Sequence, residues 1–376
     1  MLVLGIVLAL AGLGMSGGDM KSLSHSYVFG WVFWSCLTFG CLGLTLLHHT
    51  CRGHWGFPVL RIFESGGGVI NLAFFGLAFL PVATLWLAQL YPWANPGEVA
   101  IDPILQYKAP YLNQGFWTAR YVFYFLAFIF FAWRYKSWTE MEEKTGDEKW
   151  WKKRQYWGGV HLVLFIVFTN FLWTDFLMSM YPHWYSTIYG VWMLVGSVLL
   201  AFALTGIILG TQAKKRPYSE VVSPWLTKDI GNWMLVGTML WAYFSLSQYL
   251  IIWSGNLPEF TEYFIARAKN YWGWLGTSLI TLHFFVPFLM LLSPKMKREP
   301  MRLAFVGFYL IAVRVLDVAY VVLPTWKPSV ANVNLLDAGM WLLFGGAWCL
   351  LFGWQLAKSP LLTARIPRLK EALEHA

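Results

Sequence analysis

The sequence predicts an all-α integral membrane protein of ten transmembrane helices, built as two four-helix bundles plus two peripheral helices. Three observations predict it. Residues are 58% hydrophobic and only 12% charged, with a mean hydropathy of +0.52, which excludes an ordinary soluble domain. Apolar runs of about 20 residues, the length that crosses a ~30 Å hydrocarbon core, recur along the whole chain. A pattern Asp-x6-Pro-x-Trp occurs twice, as Asp175, Pro182 and Trp184 and again, 142 residues later, as Asp317, Pro324 and Trp326.

The spans fall at roughly 1–16, 26–50, 58–91, 116–136, 156–180, 185–212, 228–254, 267–293, 302–324 and 334–357. The first begins at Met1 without the basic start and polar cleavage region of a signal peptide, so it is expected to be a span. Both motif copies close a span, the fifth and the ninth. Spans two to five and six to nine therefore form two units of the same orientation, a parallel repeat. The expected divisions are 1–25 for the peripheral first helix, 26–184 and 185–326 for the two bundles, and 327–376 for the last helix and an inner-side tail.

Of 28 Lys and Arg residues, 21 fall in what become inner loops and the tail if both termini are inside, five in outer loops, and Arg120 and Arg314 within spans. That split is a positive-inside signal and predicts a multi-pass protein of a bacterial cytoplasmic membrane with cytoplasmic termini. The net charge of +9 therefore reports topology. The basic residues are scattered over short loops, so no nucleic-acid groove is expected.

Two connections are long. Residues 137–155 mix Glu and Lys densely and predict an inner-surface helix or hairpin. The outer loop 92–115, rich in Pro, Asn and Gly, has no helical period; it is expected either to dock on a partner or to cover this chain's own helices. The 24 Trp, 18 Tyr and 29 Phe fit interfacial aromatic belts, with Trp93, Trp184, Trp253 and Trp326 at outer span ends. Four cysteines without a Cys-x-x-Cys pair argue against covalent haem c or an iron–sulfur cluster in this chain.

An aspartate inside a span costs about 2.5–3.5 kcal/mol on insertion scales, which makes it a candidate functional group. Asp175, followed by Ser179, His183, Tyr185, Ser186 and Thr187, is expected to form a hydrogen-bonded proton path at the outer end of span five, with Ser186 or Thr187 alternatively capping span six. Asp175, His183 and Trp184 are the alternative quinone-binding set. Arg314 precedes Asp317 by one turn, so a structural ion pair is expected there, and Asp175 has no basic residue at that spacing. Arg61 and Glu64 repeat the spacing beside His48 and His49, a group that either admits protons or ties two helices together. Span seven, with Asn232, Thr238, Tyr243, Ser245, Ser247 and Gln248, is a second proton-route candidate, and interhelical hydrogen bonds explain many of these residues equally. His161 and His283 look isolated, which disfavours haem ligation. No catalytic residue and no metal ligand is assigned to the chain.

Asp175-Phe-Leu-Met-Ser-Met-Tyr-Pro-His-Trp-Tyr-Ser-Thr-Ile-Tyr-Gly190 resembles the NrfD/polysulfide-reductase membrane-subunit family, and more narrowly the ActF subunit of bacterial alternative complex III. Trp241-Ala-Tyr-Phe-Ser-Leu-Ser-Gln248, Ile252-Trp-Ser-Gly-Asn-Leu-Pro-Glu259, His283-Phe-Phe-Val-Pro-Phe288 and His48-His-Thr-Cys-Arg-Gly-His-Trp-Gly56 are similar to the same subunit. The resemblance implies a complex that oxidises quinol, often menaquinol, and passes electrons through iron–sulfur and haem c subunits to an outer carrier or terminal oxidase. It implies a sister subunit, ActC, as the quinol-site partner, with membrane lipids around both. That sister is expected to carry a histidine about six residues before the aspartate, where Thr169 stands here. The resemblance thus assigns this chain an anchoring, proton-conducting role outside the redox chemistry, with Asp175 carried over as the membrane acid. The residues themselves mark the candidate proton path: Asp175, Ser179, His183, Tyr185, Ser186, Thr187, Arg314, Asp317, Glu64, His49, Tyr243 and Gln248. Direct quinol binding is the alternative. A secondary transporter using Asp175 and Asp317 fits less well, because the repeated prolines lie at helix ends and not at the midplane.

Overall fold

Ten long helices, α1 to α10, carry the chain through the computed structural model, which describes residues 1–51 and 53–362. They are Leu2–Met15, Met20–Cys51, Leu60–Thr84, Gln114–Thr145, Lys149–Phe176, Tyr189–Gln212, Pro224–Gly255, Asn270–Leu292, Pro300–Val322 and Leu335–Ala357. No strand occurs among the described residues. Nine of these helices are long and apolar enough to cross a membrane. The exception is α1, whose 14 residues span about 21 Å at 1.5 Å each, short of a ~30 Å core. Inner and outer below denote the basic-rich and basic-poor ends. Arg52, Arg365, Arg368 and Lys370, part of that charge count, lie outside the described residues.

The packing order follows from burial. Helix α2 is the centre: its side chains from Val28 to Leu46 are almost all buried, Trp31, Phe33, Cys36 and Phe39 completely. It packs on α3 and α5, and α4 closes the ring between them; α6 packs on α7 and α9, with α8 closing the ring in the same order. The two groups meet along α2 and α6, where a Cβ at Gly40 would lie 2.0 Å from the Ser197 carbonyl oxygen. Backbones this close need a residue without a side chain. Helices α1 and α10 pair along a glycine face (Gly5, Gly12, Gly339, Gly346) and α10 lies against α2.

Three connections differ from expectation or extend it. The acidic–basic segment 137–155 is a helical hairpin: α4 and α5 run on past the apolar core and turn at Gly146, whose φ of +68° and N–H bond to the Glu142 carbonyl end α4 in the left-handed manner. The outer loop, expected to lack helix, contains Pro96–Ile101 and Pro103–Lys108, each with proline in its first turn and capped by Asn95 and Asp102. The period was hidden because each helix has only six residues. Between the seventh and eighth spans an amphipathic helix, Pro258–Ala268, joins α7 to α8. Finally, α6 starts at Tyr189 with Ile188 as its uncapped N-cap, so neither Ser186 nor Thr187 caps it.

Candidate functional site

Helix α4 delivers a guanidinium to the aspartate of α5. Arg120 Nε and Nη2 donate to Asp175 Oδ2 and Oδ1 at 2.8 and 3.0 Å, and Tyr124 Oη donates to Oδ2 at 2.9 Å. Asp175 is 1% exposed, so this bidentate contact is held away from water. Trp117, one turn from Arg120, donates its indole N–H to the Asp175 carbonyl at 3.0 Å. The far side of Arg120 is also occupied: Nη1 donates to the Tyr111 carbonyl at 3.0 Å, and the guanidinium lies over the rings of Tyr111 and Phe116 at 3.8 and 4.3 Å. Asp175 has no basic residue one turn away on its own helix, as expected, but a neighbouring helix supplies one. Its partner is 55 residues away in sequence, beyond any same-helix spacing rule.

The rest of the expected outer path is divided. Ser179 turns its hydroxyl to the Asp175 carbonyl, at 2.6 Å, and accepts from Trp93 Nε1 at 3.2 Å. His183 faces away, with Nε2 2.5 Å from Asp102 Oδ2 and Nδ1 3.9 Å from Glu262. Ser186 donates to Gln248 Oε1 at 3.3 Å, joining the outer end of α7 to this connection. Tyr185, Thr187 and Tyr243 are exposed. Trp184 is buried with its ring stacked on Tyr263, centroids 4.0 Å apart. The outer loop covers these groups: Tyr91 Oη donates to the Phe176 carbonyl at 2.9 Å and Lys108 donates to that of Pro182. Burial opposes ionisation of Asp102, but His183 and the backbone N–H groups of Ile104 and Leu105 outweigh it and hold the carboxyl below its usual range.

At the inner end of the same helix group, Arg61 bridges two carboxylates, Glu64 at 2.6 Å and Glu143 of α4. Thr139 donates to Glu64 at 2.8 Å, and Arg154 pairs with Glu142 across the α4–α5 hairpin. His48 and His49 are fully buried beside them, and none of their four ring nitrogens has a hydrogen-bond partner among the described residues. His49 stacks on Tyr135, whose hydroxyl lies 3.1 Å from His161 Nδ1. His161, expected to stand alone, belongs to this cluster. Phe39, Phe125, Phe128, Phe165 and Trp173 fill the space towards Asp175. From His161 to Asp175 is 14 residues of α5, about 21 Å. Within that layer, Thr169 Oγ1 and Trp173 Nε1 are buried with no hydrogen-bond partner among the described residues.

The second aspartate repeats the chemistry by a different route. Asp317 pairs with Arg314 on its own helix, as the spacing predicts, and accepts from Trp241 Nε1 of α7 at 3.2 Å. Gly196 of α6 makes room for Arg314: a Cβ there would lie 2.3 Å from the guanidinium carbon. Each carboxylate is thus held by one arginine and one aromatic donor, Tyr124 at Asp175 and Trp241 at Asp317. A cleft of about 480 Å³ opens at the outer side between Met180 within the first motif and Trp326 in the second. Asp175, His183 and Trp184 do not line it.

Among the described residues no group of three or more His, Cys, Asp or Glu side chains is placed to hold a metal ion. No protein-family model matches the chain, and no curated protein matches it. The helices and their composition define the class: this is a multi-pass, all-α integral membrane protein.

Proposed function

We propose that the chain is the membrane subunit of a quinol:electron-acceptor oxidoreductase complex of the NrfD/polysulfide-reductase kind, akin to ActF of alternative complex III, which anchors the assembly and conducts protons. The observation that carries this reading is the pair of buried ionisable clusters at opposite ends of one helix group. Arg61, Glu64, Glu143, His48, His49 and His161 stand at the inner end, and Asp175, Arg120 and Tyr124 at the outer. Ionisable groups are costly inside a bilayer and persist where they serve transport or pairing. Proton uptake at Asp175 would release Arg120 to the Tyr111 carbonyl and the rings of Tyr111 and Phe116, which already hold its far side.

Quinone binding at Asp175, His183 and Trp184 has less support. Arg120 and Tyr124 occupy the carboxylate, His183 is turned to Asp102, and Tyr263 covers the Trp184 ring. The sister subunit, iron–sulfur protein and haem c subunits remain the partners this reading requires, in a bacterial cytoplasmic membrane, with an outer carrier or a terminal oxidase as the electron acceptor. In the intact complex reconstituted into vesicles, Asp175→Asn should lower quinol-driven proton movement and leave electron transfer largely intact. Collapse of electron transfer in an assembled complex would instead support the quinone site, and unchanged proton movement would remove Asp175 from the path.

A further inference from the structure

Helix α8 changes pitch where it passes the Arg314–Asp317 pair. Residues Ile280–Phe285 form a π-helical turn carrying His283. Its cause is legible in the sequence. In an α-helix the N–H of residue 287 would bond the His283 carbonyl; Pro287 has no N–H, and its ring crowds that same carbonyl. The helix widens to relieve the clash, and Tyr309 of α9 donates its hydroxyl to the Leu282 carbonyl at 2.7 Å. Such turns are rare and concentrate at functional sites.

The side chain that this turn positions is itself anomalous. His283 is fully buried, and neither Nδ1 nor Nε2 has a hydrogen-bond partner among the described residues. Its ring lies against Trp241, centroids 4.0 Å apart, and Trp241 donates to Asp317. Arg314, paired to the same carboxylate, leaves Nε and Nη2 buried without a nitrogen or oxygen partner among the described residues, with the Cys36 thiol of α2 beside the guanidinium. Four nitrogens from two helices are thus left over around one carboxylate. Buried polar groups are almost always satisfied, and in a polar interior ordered water is the usual partner.

We propose that His283, Arg314, Asp317 and Trp241 enclose a site for ordered water, in which the His283 imidazole exchanges protons. The second helix group then has a proton-exchanging centre of its own, beside the one at Asp175. The neutral ring takes a proton from a protonated water at one nitrogen and returns one from the other, so no co-reactant is consumed. Asp317 offsets the transient imidazolium charge, and Arg314 holds Asp317 in place. The role of this centre in conduction rests on the function proposed above; its hydration and proton exchange do not.

The test uses the full chain, labelled with [15N]histidine, in lipid bilayers. Of eight histidines, His283→Gln removes one imidazole and so assigns its signal by nuclear magnetic resonance. A cross-peak between the His283 ring and water is expected, absent from His283→Gln and shifted in Pro287→Ala, where the turn tightens. A His283 signal without a water cross-peak, in protein that unfolds at the usual temperature, overturns the proposal. Should His283→Gln fail to assemble, Trp241→Phe keeps the imidazole and removes the indole from its face. A shift of the water-coupled resonance in that variant supports the site, and an unmoved spectrum counts against it. Failure of Asp175→Asn to lower proton movement would sink the proposed function while leaving the cross-peak in place.

Discussion

Replacing Arg120 with methionine tests whether Asp175 is held as an ion pair. The substitution keeps an apolar chain of similar length over Tyr111 and Phe116 and removes both donors at 2.8 and 3.0 Å. The side chains are 10% and 1% exposed, so solvent neither screens the pair nor replaces the lost bonds. Removing one member of such a pair typically costs about 3–5 kcal/mol, because the other charge stays buried without compensation. Tyr124 continues to donate to Oδ2 at 2.9 Å, which places Arg120→Met near the lower end, about 3 kcal/mol. The double variant Arg120→Met/Asp175→Leu removes both charges and leaves the buried Tyr124 hydroxyl and the part-buried Tyr111 carbonyl without their partners, at about 1–3 kcal/mol for the buried hydroxyl. The two single losses should therefore exceed the double loss. Equilibrium unfolding in bilayer discs across the four proteins of the cycle reads this coupling. A loss under about 1 kcal/mol for Arg120→Met, or additivity within about 0.5 kcal/mol, would refute the ion pair as the holding interaction.

Gly196→Ala places a methyl group against the Arg314 guanidinium. It should destabilise the fold by about 1–3 kcal/mol through overpacking, seen as a lower unfolding temperature, while a change confined to α1 such as Gly14→Ala, where a Cβ meets open space, should not. At the outer face, Asp102 has a folded pKa below its unfolded value. The stability it contributes is present above the unfolded carboxylate value of about 3.9 and is lost as pH falls through the folded value. Amide protection in residues 96–108, taken relative to the intrinsic exchange rate at each pH, should accordingly fall below about pH 4, and Asp102→Asn should abolish that acid dependence. Protection that does not change with pH in the unaltered protein would exclude the His183–Asp102 contact as what holds this loop.

Much of the architecture was legible because a membrane imposes it. Each span must be apolar for about 20 residues, so hydropathy alone located the long helices to within a few residues at most ends. Arg314–Asp317 and Arg61–Glu64 were legible for a second reason: residues three apart share a helix face whatever the fold. The outer connections were less legible. Pro96–Ile101 and Pro103–Lys108 are too short for a period, although proline after Asn95 and Asp102 was an available capping signal. The π-turn had a sequence cause in Pro287, but proline after a histidine equally permits a simple kink.

By itself the sequence determined membrane class, the helices long enough to cross, the duplicated motif and the local ion pairs, since all four depend on composition or on contacts within a single helix. Only the tertiary structure decided what the first aspartate touches. Arg120 reaches Asp175 because α4 and α5 pack at one depth and rotation, and those two quantities are set jointly by every side chain between them. The same is true of Trp241 over His283 and of Gly196 against Arg314. Periodicity shows which face of a helix is buried, but which helix covers that face is a property of the packed bundle.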